Sequence, residues 1–228
     1  MKVKLVTGYC PIPGHPRTAE EYGVLGEKFR AITKVPLKAY YTQAAALWAQ
    51  RLVWEASFRA THSEGDNPEK NTVAYHAVNH QKSEWLLRAM MDDPGYDSYV
   101  WVDYGICHLP GVTPELIEDF ALRIGKDDFA IPGCWGKPGH MDDITDAYPS
   151  WRFCGSVLVV PRDHVLAFDA AVKTTLTRHL QRMRNMPWEV NTWARVENRY
   201  ATLPIRWYKA DHNETLFSNY EAPDDAAV

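Results

Sequence analysis

Several signatures are missing from this 228-residue sequence, and each absence removes a class of function. No G-x-G-x-x-G and no G-x-x-x-x-G-K-[ST] occurs, which argues against the familiar dinucleotide and P-loop phosphate cradles. No C-x-x-C joins any of Cys10, Cys107, Cys134 and Cys154, so zinc-ribbon and thioredoxin patterns fail, and buried reduced thiols are expected instead. No G-x-S-x-G elbow is present, which disfavours an α/β-hydrolase. His76 and His80 are spaced i,i+4, but Ala77-Val78-Asn79 between them lacks the glutamate of H-E-x-x-H. No run approaches the roughly 20 apolar residues of a spanning helix. The first apolar run, residues 3–7, is too short for a signal-peptide core. No integral membrane association is expected, and the chain reads as cytoplasmic. Basic charge is not in excess: the net charge is -4 and the pI about 6.1, so duplex nucleic acid is not an obvious partner.

What is present suits a globular domain. Hydrophobic residues make up 46% and charged residues 24%. One domain over residues 1–220 is expected, with a disordered tail at 221–228. Nine tryptophans and twelve tyrosines build cores, but they also line sugar and nucleobase sites.

Strands and helices alternate along most of the chain. Residues 3–7 open as a strand and run into a Pro/Gly-rich loop. Thr18-Ala19-Glu20-Glu21 is a capping box for a helix over 19–32. A strand at 36–42 and a helix at 44–57 follow. The loop 61–70 precedes a long helix over 72–91, with Asn71 as its cap. Tyr99-Val100-Trp101-Val102 is a continuous apolar run, as in a strand buried on both faces. Thr113-Pro114-Glu115 starts a further helix. Strands are expected at 129–132, 153–160 and 205–208, a long loop at 133–150, and helices opening at Pro161 and Pro187. This order predicts an α/β domain with a mostly parallel central sheet flanked by helices.

Asp103 is the sharpest candidate, because it stands at the carboxyl end of the buried strand, the edge where open α/β sheets bind ligands. A carboxylate there either holds a divalent ion and its diphosphate or caps a turn. Gly105 permits close approach of a ligand or a positive φ. Lys82 reaches a diphosphate, pairs with Asp103, or is an ordinary helix lysine. Thr7, Gly8 and Tyr9 can touch a base or ribose. His212, in Asp211-His212-Asn213, is a candidate ligand for a manganese-like ion. Glu189 can share a helix face with Thr192 and Trp193 and is a candidate base or acceptor contact. Asp142, Asp143 and Asp146 are weaker candidates for that role.

Taken together, Tyr99-Val100-Trp101-Val102-Asp103-Tyr104-Gly105 resembles the strand-plus-acid motif of GT-A type nucleotide-sugar glycosyltransferases. Gln81-Lys82-Ser83 with Trp85 is similar to the helix before that strand. Phe153-Cys154-Gly155-Ser156 is similar to the small-residue segment of the donor-sugar pocket, and Asp211-His212-Asn213 to a late metal-binding histidine. The resemblance covers roughly residues 1–220. It implies a GT-A fold, a nucleotide-sugar donor such as a UDP-sugar, and Mn²⁺ or Mg²⁺ held by Asp103 and His212. It also implies Thr7 and Gly8 at the nucleotide, Gly155 and Ser156 at the donor sugar, and Glu189 at the acceptor. The acceptor is open among a glycan, a lipid-linked sugar, a small molecule and a modified nucleic-acid base. Gly105 replaces the second acid of D-x-D, which leaves room for a metal-independent variant using Lys82. A metal-dependent phosphohydrolase or nucleotidyltransferase, and a nucleotide- or glycan-binding module without turnover, are the alternatives.

Overall fold

A computed structural model describes residues 1–12, 14–43, 48–53, 59–60, 71–137, 139, 144, 146 and 148–223. In chain order the elements are β1 (Val3–Tyr9), α1 (Ala19–Arg30), β2 (Leu37–Tyr41), α2 (Trp48–Val53), β3 (Arg59–Ala60), α3 (Val73–His80), α4 (Lys82–Asp92) and β4 (Ser98–Val102). Then come α5 (Pro114–Arg123), β5 (Phe129–Gly133), β6 (Val157–Pro161), α6 (Arg162–Met183), β7 (Asn185–Met186), α7 (Glu189–Arg199), β8 (Ile205–Lys209) and α8 (Thr215–Ser218).

Six strands form one sheet in the order β2-β1-β4-β6-β5-β8. The pairs β1–β2, β1–β4 and β5–β8 are parallel, as expected of an α/β domain. β6 runs against both of its neighbours, so the sheet is mixed rather than wholly parallel. The reversal matters for the site. The residues just before β6 share an edge with the residues just after β1, β4, β5 and β8. β3 and β7 pair separately.

Strand alternation divides the core into two layers. Tyr99, Trp101, Leu158 and Val160 face a cluster with Trp85 and Leu86 of α4, Phe168 of α6 and Trp193 of α7. Val100, Val102, Val157 and Val159 face the opposite layer, with Phe29 of α1 and Phe120 of α5. All five residues of β4 and of β6 are buried, which explains their unbroken apolar runs.

Local signals place several helix ends. Thr18 and Glu21 complete the capping box of α1. Thr113 caps α5 by accepting from the Leu116 N–H. The helix expected over 72–91 is instead two helices, with Gln81 at the joint. The Gln81 N–H bonds back to Val78 O at 3.1 Å, a tighter turn than the α pattern, while its side chain accepts from the Trp48 N–H at 3.1 Å. Thr72 rather than Asn71 caps α3; Asn71 contacts His76 Nε2 at 2.7 Å. The strand expected from 153 begins at Val157, because Phe153 to Ser156 form the turn that meets β4 and β5. Residues 61–70, Asp142, Asp143 and 224–228 lie outside the described residues, as do parts of the helix expected over 44–57. Among the described residues, no helix is long and apolar enough to cross a membrane.

Candidate active site

The carboxyl edge of β1 and β4 opens into a cavity of about 690 Å³. At its floor is a buried cluster of charge. Trp101 and Asp103 project to the same side of β4, two residues apart, and Trp101 Nε1 donates to Asp103 Oδ1 at 2.6 Å. Lys82 stands in the first turn of α4 and is only 3% exposed. One turn further on, Trp85 stacks on Trp101 with ring centroids 5.3 Å apart. That stack sets the depth of α4 against the sheet and holds Lys82 over the strand end.

The Lys82 ammonium has three hydrogens and meets three acceptors. They are Gly155 O at 2.8 Å, Glu189 Oε1 at 3.1 Å and Asp103 Oδ1 at 3.1 Å. Burial alone would lower the Lys82 pKa. The Asp103 and then the Glu189 carboxylates outweigh it and hold the pKa above the ordinary lysine value. Glu189, in the first turn of α7, is 5% exposed, and among the described residues its Oε2 has no hydrogen-bond partner. A buried carboxylate oxygen without a donor is costly unless a ligand supplies one. Gly155 leaves room for this contact: a Cβ on it would lie 2.2 Å from Glu189 Oε1, so the carboxylate would have to shift. The Asp103 N–H donates to Ser156 O at 2.9 Å, pinning the Gly155–Ser156 turn to the end of β4.

The upper wall is aromatic and cationic. Tyr9 packs at 5.0 Å from Tyr22 and 5.4 Å from Tyr104. The Arg17 guanidinium lies 5.2 Å from the Tyr22 ring centroid and has no ion pair among the described residues. A Cβ at Gly105 would meet the Tyr22 ring at 3.0 Å and Arg17 Nη1 at 3.4 Å, so Tyr22 and Arg17 border the space where a second acid would project. Gly105 has φ -94, so its use is clearance and not a positive φ.

Gly8, Tyr9, Lys82, Asp103, Gly105, Gly155, Ser156, Glu189 and His212 all lie on this one cavity. Thr7 does not line it; its side chain is fully buried beneath the edge. Asp146 is engaged elsewhere, by Arg195 at 2.7 Å. Sequence reasoning missed Arg17, Tyr22, Tyr75, Trp151 and Trp188. A signal did exist for the first two, since Arg17 immediately precedes the α1 capping box and Tyr22 directly follows it.

The surroundings of Asp103 do not fit the divalent ion that the resemblance implies. Hard divalent cations gather several oxygen ligands. Here Asp103 Oδ1 already accepts from Lys82 and Trp101, Gly105 offers no side chain, and the buried Lys82 ammonium sits 3.1 Å from both Asp103 and Glu189. His212 lies on the same cavity, but its near neighbours are Cys134 and Cys154.

No family model and no curated protein matches the chain. Among solved structures, it is similar to a glycosyltransferase involved in the glycosylation of the major capsid of PBCV-1. That likeness has 12% identity and TM-score 0.43, and covers 92% of this chain and 82% of that one. It is also similar to mouse xyloside xylosyltransferase 1 in its apo form, at 11% identity and TM-score 0.46, covering 92% of this chain and 86% of that one.

Proposed function

We propose that this chain is a glycosyltransferase moving a sugar from a nucleotide-diphosphate donor, a UDP-sugar foremost, to a hydroxyl acceptor. One observation carries the reading: a buried ammonium clamped between two carboxylates on the ligand-binding edge of an α/β sheet, with Glu189 Oε2 buried and unpartnered beside the cavity. A rigid, charged acceptor of this kind suits sugar hydroxyls, which donate hydrogen bonds and fix the ring's orientation. The cavity volume of about 690 Å³ suits a ligand of nucleotide-sugar size.

In this proposal, Tyr9, Tyr22 and Tyr104 pack against the nucleoside at the end of β1. Arg17 faces the diphosphate and stabilises the negative charge that grows as the sugar leaves. Lys82 holds Asp103 and Glu189 in place through its contacts at 3.1 Å to each. Asp103, about one third exposed, and Glu189 accept from donor or acceptor hydroxyls. Binding to this arrangement is independent of Mg²⁺ and Mn²⁺, because Lys82 already supplies the cation at Asp103.

The test is thermal melting against a panel of nucleoside diphosphates and their sugars, with and without added Mg²⁺ or Mn²⁺, followed by assay for sugar transfer. A ligand at hundredfold excess over Kd stabilises by about 2.7 kcal/mol. The expected result is a shift for one nucleoside diphosphate, undiminished without the added ion, and transfer of its sugar. Absence of any shift across the panel overturns the proposal. A shift without turnover points to a binding module instead.

A further inference from the structure

The sheet's other half brings together residues that no sequence motif connects. Cys134 follows β5, Cys154 precedes β6, and Asp211 and His212 follow β8. These strands are neighbours in the order β6-β5-β8, and because β6 is reversed, all four residues arrive at the same edge. Cys134 Sγ lies 3.5 Å from Cys154 Sγ and 3.7 Å from Asp211 Oδ1. His212 Nδ1 lies 3.5 Å from the same Asp211 oxygen. The two sulfurs and a His212 ring nitrogen all lie within 4.8 Å of one another.

These separations resemble the edges of a tetrahedral metal site. Zinc binds thiolate sulfur at about 2.3 Å and imidazole nitrogen at about 2.0–2.1 Å, which sets neighbouring ligand atoms roughly 3.4–3.8 Å apart. The geometry points to a soft-metal site, occupied by Zn²⁺, with Cys134, Cys154 and His212 as ligands and the Asp211 carboxylate closing the fourth position. The thiol and imidazole donors favour zinc over the oxygen-seeking Mg²⁺ and Mn²⁺. On binding, Cys134 and Cys154 each lose a proton to solvent and their sulfurs bond to the ion.

The surroundings suit a structural ion. The Asp211 side chain is exposed and Cys134 half-buried, which gives the metal a way in, while Cys154 is fully buried. Asp211 Oδ1 accepts from the His212 N–H at 2.7 Å, and the His212 ring packs edge-on against Trp151 at 4.6 Å. Both Trp151 and His212 line the cavity. The ion therefore ties three chain segments together and steadies one cavity wall. None of Asp103, Lys82 and Glu189 is involved, so the inference stands apart from the nucleotide-sugar reading.

The experiment is Co²⁺ titration of the full chain, purified under reducing conditions and freed of metal, with Zn²⁺ competition and a count of free thiols. One Co²⁺ per chain with thiolate-to-cobalt charge-transfer absorption, displaced by Zn²⁺, is expected. Cys154→Ser and Cys134→Ser lose that absorption. Asp211→Asn keeps it but weakens affinity on the order of tenfold or more. Asp211→Asn leaves both thiols in place, so it tests the site even if a cysteine variant misfolds. Three results overturn the inference: Co²⁺ bound without charge transfer, no Co²⁺ bound by folded protein with four free thiols, or two thiols lost to a disulfide.

Discussion

The two halves of the binding edge solve charge in opposite ways. At the ends of β1 and β4, the carboxylates of Asp103 and Glu189 meet a lysine that the fold itself supplies. At the ends of β5 and β8 and the start of β6, Cys134, His212 and Cys154 converge with no lysine or arginine paired to them among the described residues. Both places collect potential metal ligands, but the first already holds a cation of the chain's own, the Lys82 ammonium 3.1 Å from Asp103 Oδ1. Whether an acid at a strand end calls for a metal thus depends on what the helices packed against that edge place beside it, here Lys82 of α4 and Glu189 of α7.

The largest test of that contrast is Lys82→Met. Removing a fully buried partner leaves two carboxylates uncompensated and is expected to cost about 3–5 kcal/mol, read from the denaturant midpoint. Lys82→Arg should not restore stability, because a planar fork cannot meet three acceptors arranged around a point. Near-native stability in Lys82→Met would break the comparison.

The second test uses pH. His80 lies next to the lysine's helix, contacting His76 O at 2.8 Å and Thr192 Oγ1 at 2.9 Å. Burial pushes its pKa down from 6.5 to about 4, partly opposed by the hydrogen bond to His76. The unfolded chain therefore takes up a proton that the folded chain refuses. The stability contribution is complete above pH 6.5 and is lost as pH falls towards 4. Burial likewise drives His76 down to about 3. Urea denaturation across this range should show a stability slope that is shallower in His80→Gln, with His76 accounting for part of the remainder.

Gly155→Ala should cost about 1–3 kcal/mol, since its Cβ would force Glu189 away from Lys82. It should also abolish the thermal shift given by a nucleotide sugar. The smallest effect on stability is expected for Gly105→Asp, which restores the second acid. The new carboxylate would fall beside Arg17 and pair with it. Donor affinity should drop by about 1.5–3 kcal/mol without any new Mg²⁺ or Mn²⁺ dependence in the titration. A gained metal requirement would show that the single acid, not Lys82, had decided the matter.

The α/β class, the capping box of α1, the Thr113 cap of α5 and the buried β4 that leads into Asp103 were all legible, because each rests on a few adjacent residues. The break at Gln81 was not legible, since it depends on a hydrogen bond from Trp48, 33 positions away in sequence. The reversed direction of β6 was hidden as well: a strand buried on both faces reads alike in either direction. Arg17 and Tyr22 flank the legible α1 capping box, but that they border Gly105 appears only once α1 is packed beside it.

By itself, then, the sequence determined the main run of strands and helices and that an acid follows a buried strand, through periodicity, capping and turn chemistry that act over a turn or two. Tertiary structure alone decided that Lys82 is buried between Asp103 and Glu189, and that Cys134 faces Cys154 20 positions later. The reason is physical: the charge state and metal preference of a group depend on what surrounds it in space, and strand order and direction choose those neighbours across long stretches of chain.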